Sequence, residues 1–114
     1  MHEVSLMENA LELAKDHAMA QQATRIHRIH LRVGRLSGVV ADALRFAFEG
    51  LKPGTLAEDA ILEVEEVEVV CLCQSCQIEF PSADWIHQCP GCGESREVTI
   101  LQGTELELVS LEVS

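Results

Sequence analysis

The sequence predicts an α+β fold in which two helices pack on a small, mainly antiparallel sheet, with a small four-cysteine lobe inserted between strands. Three features carry that expectation. Apolar side chains recur at helical spacing from Leu6 to Ala18 and again from Leu44 to Leu51. Residues 25–34 and 105–113 instead alternate apolar and charged positions, as half-buried strands do. Two pairs, Cys73-Gln74-Ser75-Cys76 and Cys89-Pro90-Gly91-Cys92, stand twelve residues apart.

In chain order, Ser5-Leu6-Met7-Glu8 reads as a capping box, with Ser5 as N-cap and Glu8 reaching back to its amide. A helix is expected from about residue 5 to 21. Its inner stripe is Leu6, Met7, Ala10, Leu11, Leu13, Ala14 and Ala18, with Glu8, Glu12, Lys15 and Asp16 facing water. His17 lies on or beside the stripe and reads as a part-buried core-edge histidine rather than a ligand.

The strand over 25–34 sets Ile29, Leu31 and Val33 against Arg28, His30 and Arg32, and Gly34 ends it. Arg25, Arg28, Arg32 and Arg35 give its outer face four of the eight basic residues. They read as a solvated face balancing acidic neighbours, with a docking patch as the alternative. After Ser37-Gly38 comes a second helix with Leu44, Ala47, Phe48 and Leu51 inward, ending near Lys52 before Pro53-Gly54. Thr55-Leu56-Ala57-Glu58 repeats the capping pattern and suggests one helical turn.

Residues 61–70 read as one long strand running into Cys71-Leu72-Cys73. Beyond the cysteines, Val98–Leu101 is apolar and Gln102-Gly103 turns. Leu106 and Leu108 then alternate with Glu105 and Glu107, and Val109, Leu111 and Val113 continue in the opposite phase, so a β-bulge is expected near 108–109. The chain divides into a body of residues 1–69 and 99–114 and a lobe of 70–98, inserted between two strands able to pair antiparallel. The lobe has only Ile78, Phe80 and Trp85 as core, so it should need a metal to hold its shape.

Two tight turns facing each other supply four sulfurs at tetrahedral geometry, the requirement of a structural Zn²⁺ with Zn–S of about 2.3 Å. The lobe is thus expected to be a zinc ribbon held by Cys73, Cys76, Cys89 and Cys92. Paired disulfides would need an oxidising compartment that nothing else in the chain suggests. Cys71 is the alternative first ligand, but Cys73 gives the spacing that matches the second pair, leaving Cys71 a free thiol. His87 could replace a thiolate, although four sulfurs already saturate zinc. A closed site of this kind holds a fold together and does no chemistry.

With 114 residues the chain suffices for one domain and a small metal-held lobe. No apolar run approaches the roughly 18 residues that span a bilayer, and the start lacks the pattern of a signal peptide. The expected location is cytoplasmic, where thiols stay reduced. The net charge of −11, about −13 with four thiolates and one Zn²⁺, opposes a phosphate backbone and argues against nucleic acid. It suits basic proteins or cations.

Met1-His2-Glu3 offers a different kind of site. The α-amine and the backbone nitrogen of His2 close a five-membered ring on a metal. The His2 imidazole, through Nδ1, closes a six-membered ring with that same backbone nitrogen. The Glu3 amide nitrogen adds a fourth in-plane donor once deprotonated. Nitrogen donors in a plane suit Ni²⁺ and Cu²⁺, whereas Zn²⁺ has no such preference.

Taken together, these residues resemble the HypA/HybF family of nickel metallochaperones for [NiFe]-hydrogenase maturation. The likeness runs through Met1-His2-Glu3 with Ser5-Leu6, Val33-Gly34-Arg35-Leu36-Ser37-Gly38 and Ala43-Leu44-Arg45-Phe46. It continues through Gly54-Thr55-Leu56-Ala57-Glu58, Cys71-Leu72-Cys73 with the two cysteine pairs, and the closing Leu108–Val113 stretch. The resemblance implies transferable Ni²⁺ on Met1, His2 and Glu3 beside a structural zinc. It also implies two partners, a maturation GTPase and the hydrogenase large subunit precursor, with urease served by some relatives and self-association left open. In some members an acidic side chain before the second helix assists nickel. Here the closest matching position is Val40, and Asp42 is the nearest acid. The expected function is therefore a non-enzymatic nickel carrier, and the alternative is a zinc-ribbon protein-interaction module without nickel transfer. No nucleophile–base pair or phosphate-cradling loop supports an enzyme.

Overall fold

The structure, a computed structural model, describes residues 3–82 and 87–114. Its first helix, α1, spans Glu3–Ala20 and buries Met7, Ala14 and Ala18, with Leu6, Ala10 and Leu11 partly covered. The helix begins earlier than the capping box implied, so Ser5 lies within its first turn rather than at its N-cap. Glu3 occupies that turn instead, where a carboxylate is favoured by the helix dipole. Leu13 is exposed, and so is His17, which is not the core-edge residue expected. At the far end Gln22 is left-handed (φ 59°), and the amides of Gln22 and Ala23 bond to the carbonyls of Met19 and Ala18, a Schellman closure.

Strand β1 (Ile26–Gly34) lies at the centre of the first sheet, between β2 (Ile61–Val67) and β6 (Leu106–Val113). Helix α2 (Ala41–Leu51) buries Leu44, Ala47 and Phe48 and ends where Pro53 forbids continuation, as expected. Because α2 carries the chain from β1 back across the sheet, β1 and β2 are parallel. The strands before and after the lobe therefore do not pair with each other. Each pairs with β1, and only β6 does so antiparallel.

The bulge foreseen in the last strand is present. Leu108 pairs with Leu31 and Ser110 with His30, so Val109 is the extra residue. It lets Leu108 and Leu111 both pack against the core despite their odd spacing. A second irregularity falls on β1 between Ile26 and Arg28.

The stretch 61–70 is broken, not continuous. Glu68 and Val69 turn the chain out of the first sheet, and β3 (Val70–Cys73) starts a second. There β3 lies between β4 (Ile78–Pro81), a strand not anticipated, and β5 (Val98–Gln102), both antiparallel to it. Thus Val98–Gln102 stands with the cysteines rather than beside β6. This sheet has its own small core of Val69, Cys71, Cys73, Phe80 and Cys89. Ile78 is exposed, and Trp85 lies outside the described residues.

On the outer face of the first sheet the β1 arginines are fully engaged. Arg32 bonds Glu65 and Glu107, each at 3.1 Å, Arg28 pairs with Glu63 and Glu112, and Arg25 and Arg35 pair with Asp59 and Glu68. Glu65, then Glu107, raise the pKa of the Arg32 guanidinium. Six carboxylates meet these four guanidiniums, so the face is acidic overall.

Thr55 opens one i→i+3 turn, its carbonyl accepting from the Glu58 amide at 3.2 Å, but its own amide bonds the Lys52 carbonyl instead of the Glu58 side chain a capping box requires. Its hydroxyl bonds the Lys52 carbonyl and accepts from the Ala57 amide, closing a loop that returns the chain to β2.

Candidate metal centre

Cys73 ends β3 and Cys76 closes the turn leading to β4, while Cys89 and Cys92 form a second turn before β5. The two turns share one geometry. The Gln77 amide donates to the Cys73 carbonyl (2.8 Å), and the Gly93 amide donates to the Cys89 carbonyl (2.9 Å). In each, the residue after the second cysteine is left-handed, Gln77 at φ 60° and Gly93 at φ 73°. Backbone amides also point at sulfur, Cys76 N to Cys73 Sγ at 3.5 Å and Gly91 N to Cys89 Sγ at 3.3 Å. A Cβ on Gly91 would stand 3.3 Å from Ile78 and 3.7 Å from Cys89 Sγ, so this turn has little room for a side chain.

The four sulfurs all lie within 4.8 Å of one another. Cys73 and Cys92 are separated by 3.6 Å and Cys76 and Cys89 by 3.9 Å. A tetrahedron with metal–sulfur bonds of about 2.3 Å has edges of about 3.8 Å. The donor set and its spacing therefore fit a tetrahedral ion such as zinc. The thiols constrain each other's ionisation. Hydrogen bonding to Cys92, with burial, pushes Cys76 up to about 12, while the Cys92 and Gly91 amides draw Cys89 down to about 7. A divalent cation relieves that mutual repulsion. Cys73 and Cys89 are buried and Cys92 is exposed, which places the cluster at the rim of the lobe.

The other sequence candidates fall elsewhere. His87 is not in the cluster, and its Nδ1 is 2.7 Å from the Ser82 hydroxyl. Cys71 is fully buried in the lobe core, where burial raises its pKa, and it is not among the four clustered sulfurs. Asp42 is exposed in the first turn of α2 and paired with Arg45 at 2.8 Å. Met1 and His2 lie outside the described residues. Glu3 starts α1, so its amide is one of the first-turn N–H groups without an acceptor inside the helix.

The junction between the sheets was not recognised from sequence as a structural feature. Gly34 N bonds Glu105 O, Leu36 N bonds Gly103 O, and Arg35 N bonds Val67 O, at 2.7, 2.7 and 3.0 Å. Leu36 packs into the lobe core from the body side. The sequence signals were Val33-Gly34, a glycine where an alternating strand ends, and the Gln102-Gly103 turn.

An α+β body joined to a lobe with four clustered thiols defines a small metal-binding protein. The family described as hydrogenase/urease nickel incorporation, metallochaperone, HypA, matches residues 1–113. This chain belongs to that family. It is 46% identical over 113 residues to a hydrogenase maturation factor HypA of Picosynechococcus sp., covering 99% of both chains. The corresponding factor of Chloroflexus aurantiacus is 43% identical over 113 residues, with 98% of each covered. Among solved structures, the Ni metallochaperone HypA from Helicobacter pylori is similar with a TM-score of 0.68 and 31% identity, covering 99% of this chain and 97% of that one. A second HypA solution structure has a TM-score of 0.72 and 32% identity, over 100% and 97%.

Proposed function

We propose that the protein carries Ni²⁺ on the Met1 amine, the His2 backbone and imidazole nitrogens and the Glu3 amide, and delivers it for maturation of the hydrogenase large subunit. Zn²⁺ held by Cys73, Cys76, Cys89 and Cys92 serves as the structural ion. A maturation GTPase and the large subunit precursor are the partners, in the cytoplasm, and the protein itself catalyses no reaction. The observation that carries this reading is a Met-His-Glu start in a chain that matches a nickel-incorporation family over residues 1–113. It is supported by the separation of donor types. Sulfur is concentrated in the lobe, and the nitrogen-bearing Met1-His2 directly precedes a helix whose first amides have no helical acceptor. A chain end can be released by moving that end, which suits an ion that must be handed on.

Glu3 enters through its backbone nitrogen, so its side chain is free to favour the helix start. Asp42 is committed to Arg45 and is not needed. The test is metal analysis after nickel loading of wild type and His2→Ala, with mass spectrometry of the intact amino terminus. The carrier loses nickel and keeps one zinc per chain. A zinc-ribbon interaction module without nickel transfer would show the same two metal counts before and after substitution.

A further inference from the structure

Across the first sheet the outer-face charges run in rows. Glu65 on β2, Arg32 on β1 and Glu107 on β6 stand in register, with Arg32 bonded to both carboxylates at 3.1 Å. In a second row Arg28 stands opposite Glu112, its Nε 3.4 Å away, and reaches diagonally to Glu63, which faces His30 in the register. Both rows end on a carboxylate at β6. Among the described residues β6 pairs only with β1, so its other edge presents unpaired backbone groups. On the inner face the strand is apolar. Two clefts run between α1 and β6: one of about 190 Å³ includes Leu13, Leu106 and Leu108 in its lining, and one of about 360 Å³ sets His17 and Gln21 of α1 against Val109 and Leu111. Leu13, Leu106 and Val109 are 46%, 45% and 39% exposed.

We infer that the β6 edge accepts an extended segment of another protein in which basic residues alternate with apolar ones, added as a fourth strand. Such a strand would set its cations beside Glu107 and Glu112, continuing the alternation of sign across the sheet. Its apolar side chains would enter the clefts under β6, because successive residues of a strand point to opposite faces. The bulge at Val109 divides the edge into two short pairing stretches, 106–108 and 110–113.

Charge excludes a second copy as occupant. Two β6 edges would bring Glu107 and Glu112 against the same acids, and the β2 edge also ends its rows on Glu63 and Glu65. Like charges opposite one another destabilise a strand pair. The site involves neither the cysteines nor the first three residues, so it stands independently of the nickel reading.

The test uses the full-length zinc-loaded chain, isotope-labelled, and three octapeptide probes. One alternates Lys and Val, one alternates Glu and Val, and one has the first composition with its lysines grouped together. The alternating Lys–Val peptide should shift the amides of Leu106–Val113 and slow their hydrogen exchange, and the Glu–Val peptide should do neither. The grouped peptide should bind about tenfold more weakly, having no cross-strand register to satisfy. Glu107→Gln with Glu112→Gln should weaken the alternating peptide by a similar factor while leaving its Glu–Val counterpart unable to bind. Equal binding of the grouped peptide, or shifts centred away from β6, would reduce the effect to general attraction by an acidic protein and overturn the proposal. Concentration-dependent shifts on β6 without peptide would assign the edge to a second copy and overturn it equally.

Discussion

Gly34 and Gly103 meet backbone against backbone where the two sheets join. A Cβ at Gly34 would overlap the Gly103 carbonyl, and one at Gly103, which sits at φ 116°, would stand 2.9 Å from Val69. Beside this contact the Leu36 amide bonds the Gly103 carbonyl, while the Gly34 and Arg35 amides extend the first sheet's pairing to Glu105 and Val67. The two sheets thus meet in a packed contact, with Gly103 against Val69 and Leu36 against the lobe core.

Gly34→Ala should therefore cost about 3 kcal/mol or more, since the obstacle is backbone and cannot rotate away. Gly50 gives the contrast. It lies in α2 with nothing within 4 Å of an added Cβ. Gly50→Ala should stabilise by about 0.5–1 kcal/mol through helix propensity. Urea midpoints of the two zinc-loaded variants check both signs.

The two phenylalanines of α2 make a second contrast. Phe48 is 1% exposed in the main core, whereas Phe46 is 83% exposed. Phe48→Ala should lose about 3–5 kcal/mol, the usual range for a buried aromatic. Phe46→Ala should stay within about 0.5 kcal/mol. Thermal melts of both at equal metal content check the contrast.

Removing the zinc proposed at the four cysteines should unfold the lobe before the body. Three of the five residues in the lobe core are cysteines, and two of those belong to the metal cluster. The body has its own core of Met7, Ile29, Leu31, Leu44 and Phe48 among others. Chelation, or Cys76→Ser, is expected to abolish hydrogen-exchange protection in β3–β5 and retain it in β1, β2 and β6. Loss of protection in both sheets together would mean that the junction transmits the whole collapse.

Nickel affinity should fall steeply between about pH 7.5 and 6. A free α-amine titrates near 7.7–8.0 and an imidazole near 6.5, so falling pH puts protons on the nitrogens the metal needs. The sign is fixed: protons compete, and affinity drops as pH drops. Calorimetric titrations at the two pH values should differ severalfold, and equal dissociation constants would reject coordination by the amine and imidazole.

Where the sequence was legible, the signal was local. The cysteine turns are legible because two residues between ligands fix the chelate geometry whatever surrounds it. The bulge at Val109 is legible because apolar residues change phase there, and the end of α2 because Pro53 cannot continue a helix. Ser5 misled because a capping motif competes with other local choices, and Glu3 serves the helix start in its place. Leu13 misled because helical spacing marks a stripe wider than the one α1 buries.

The chain by itself determined the four clustered thiols, two helices, the strand over 25–34 with its charged outer face, and the phase change in β6. Each follows from residues within a turn or a few strand positions of each other. Only the tertiary structure decided that β1 and β2 run parallel, that the chain leaves the first sheet at Glu68-Val69, and that Val98–Gln102 pairs with β3. Those outcomes depend on which distant backbone groups become hydrogen-bond partners, and alternation along one strand is the same whichever neighbour it acquires.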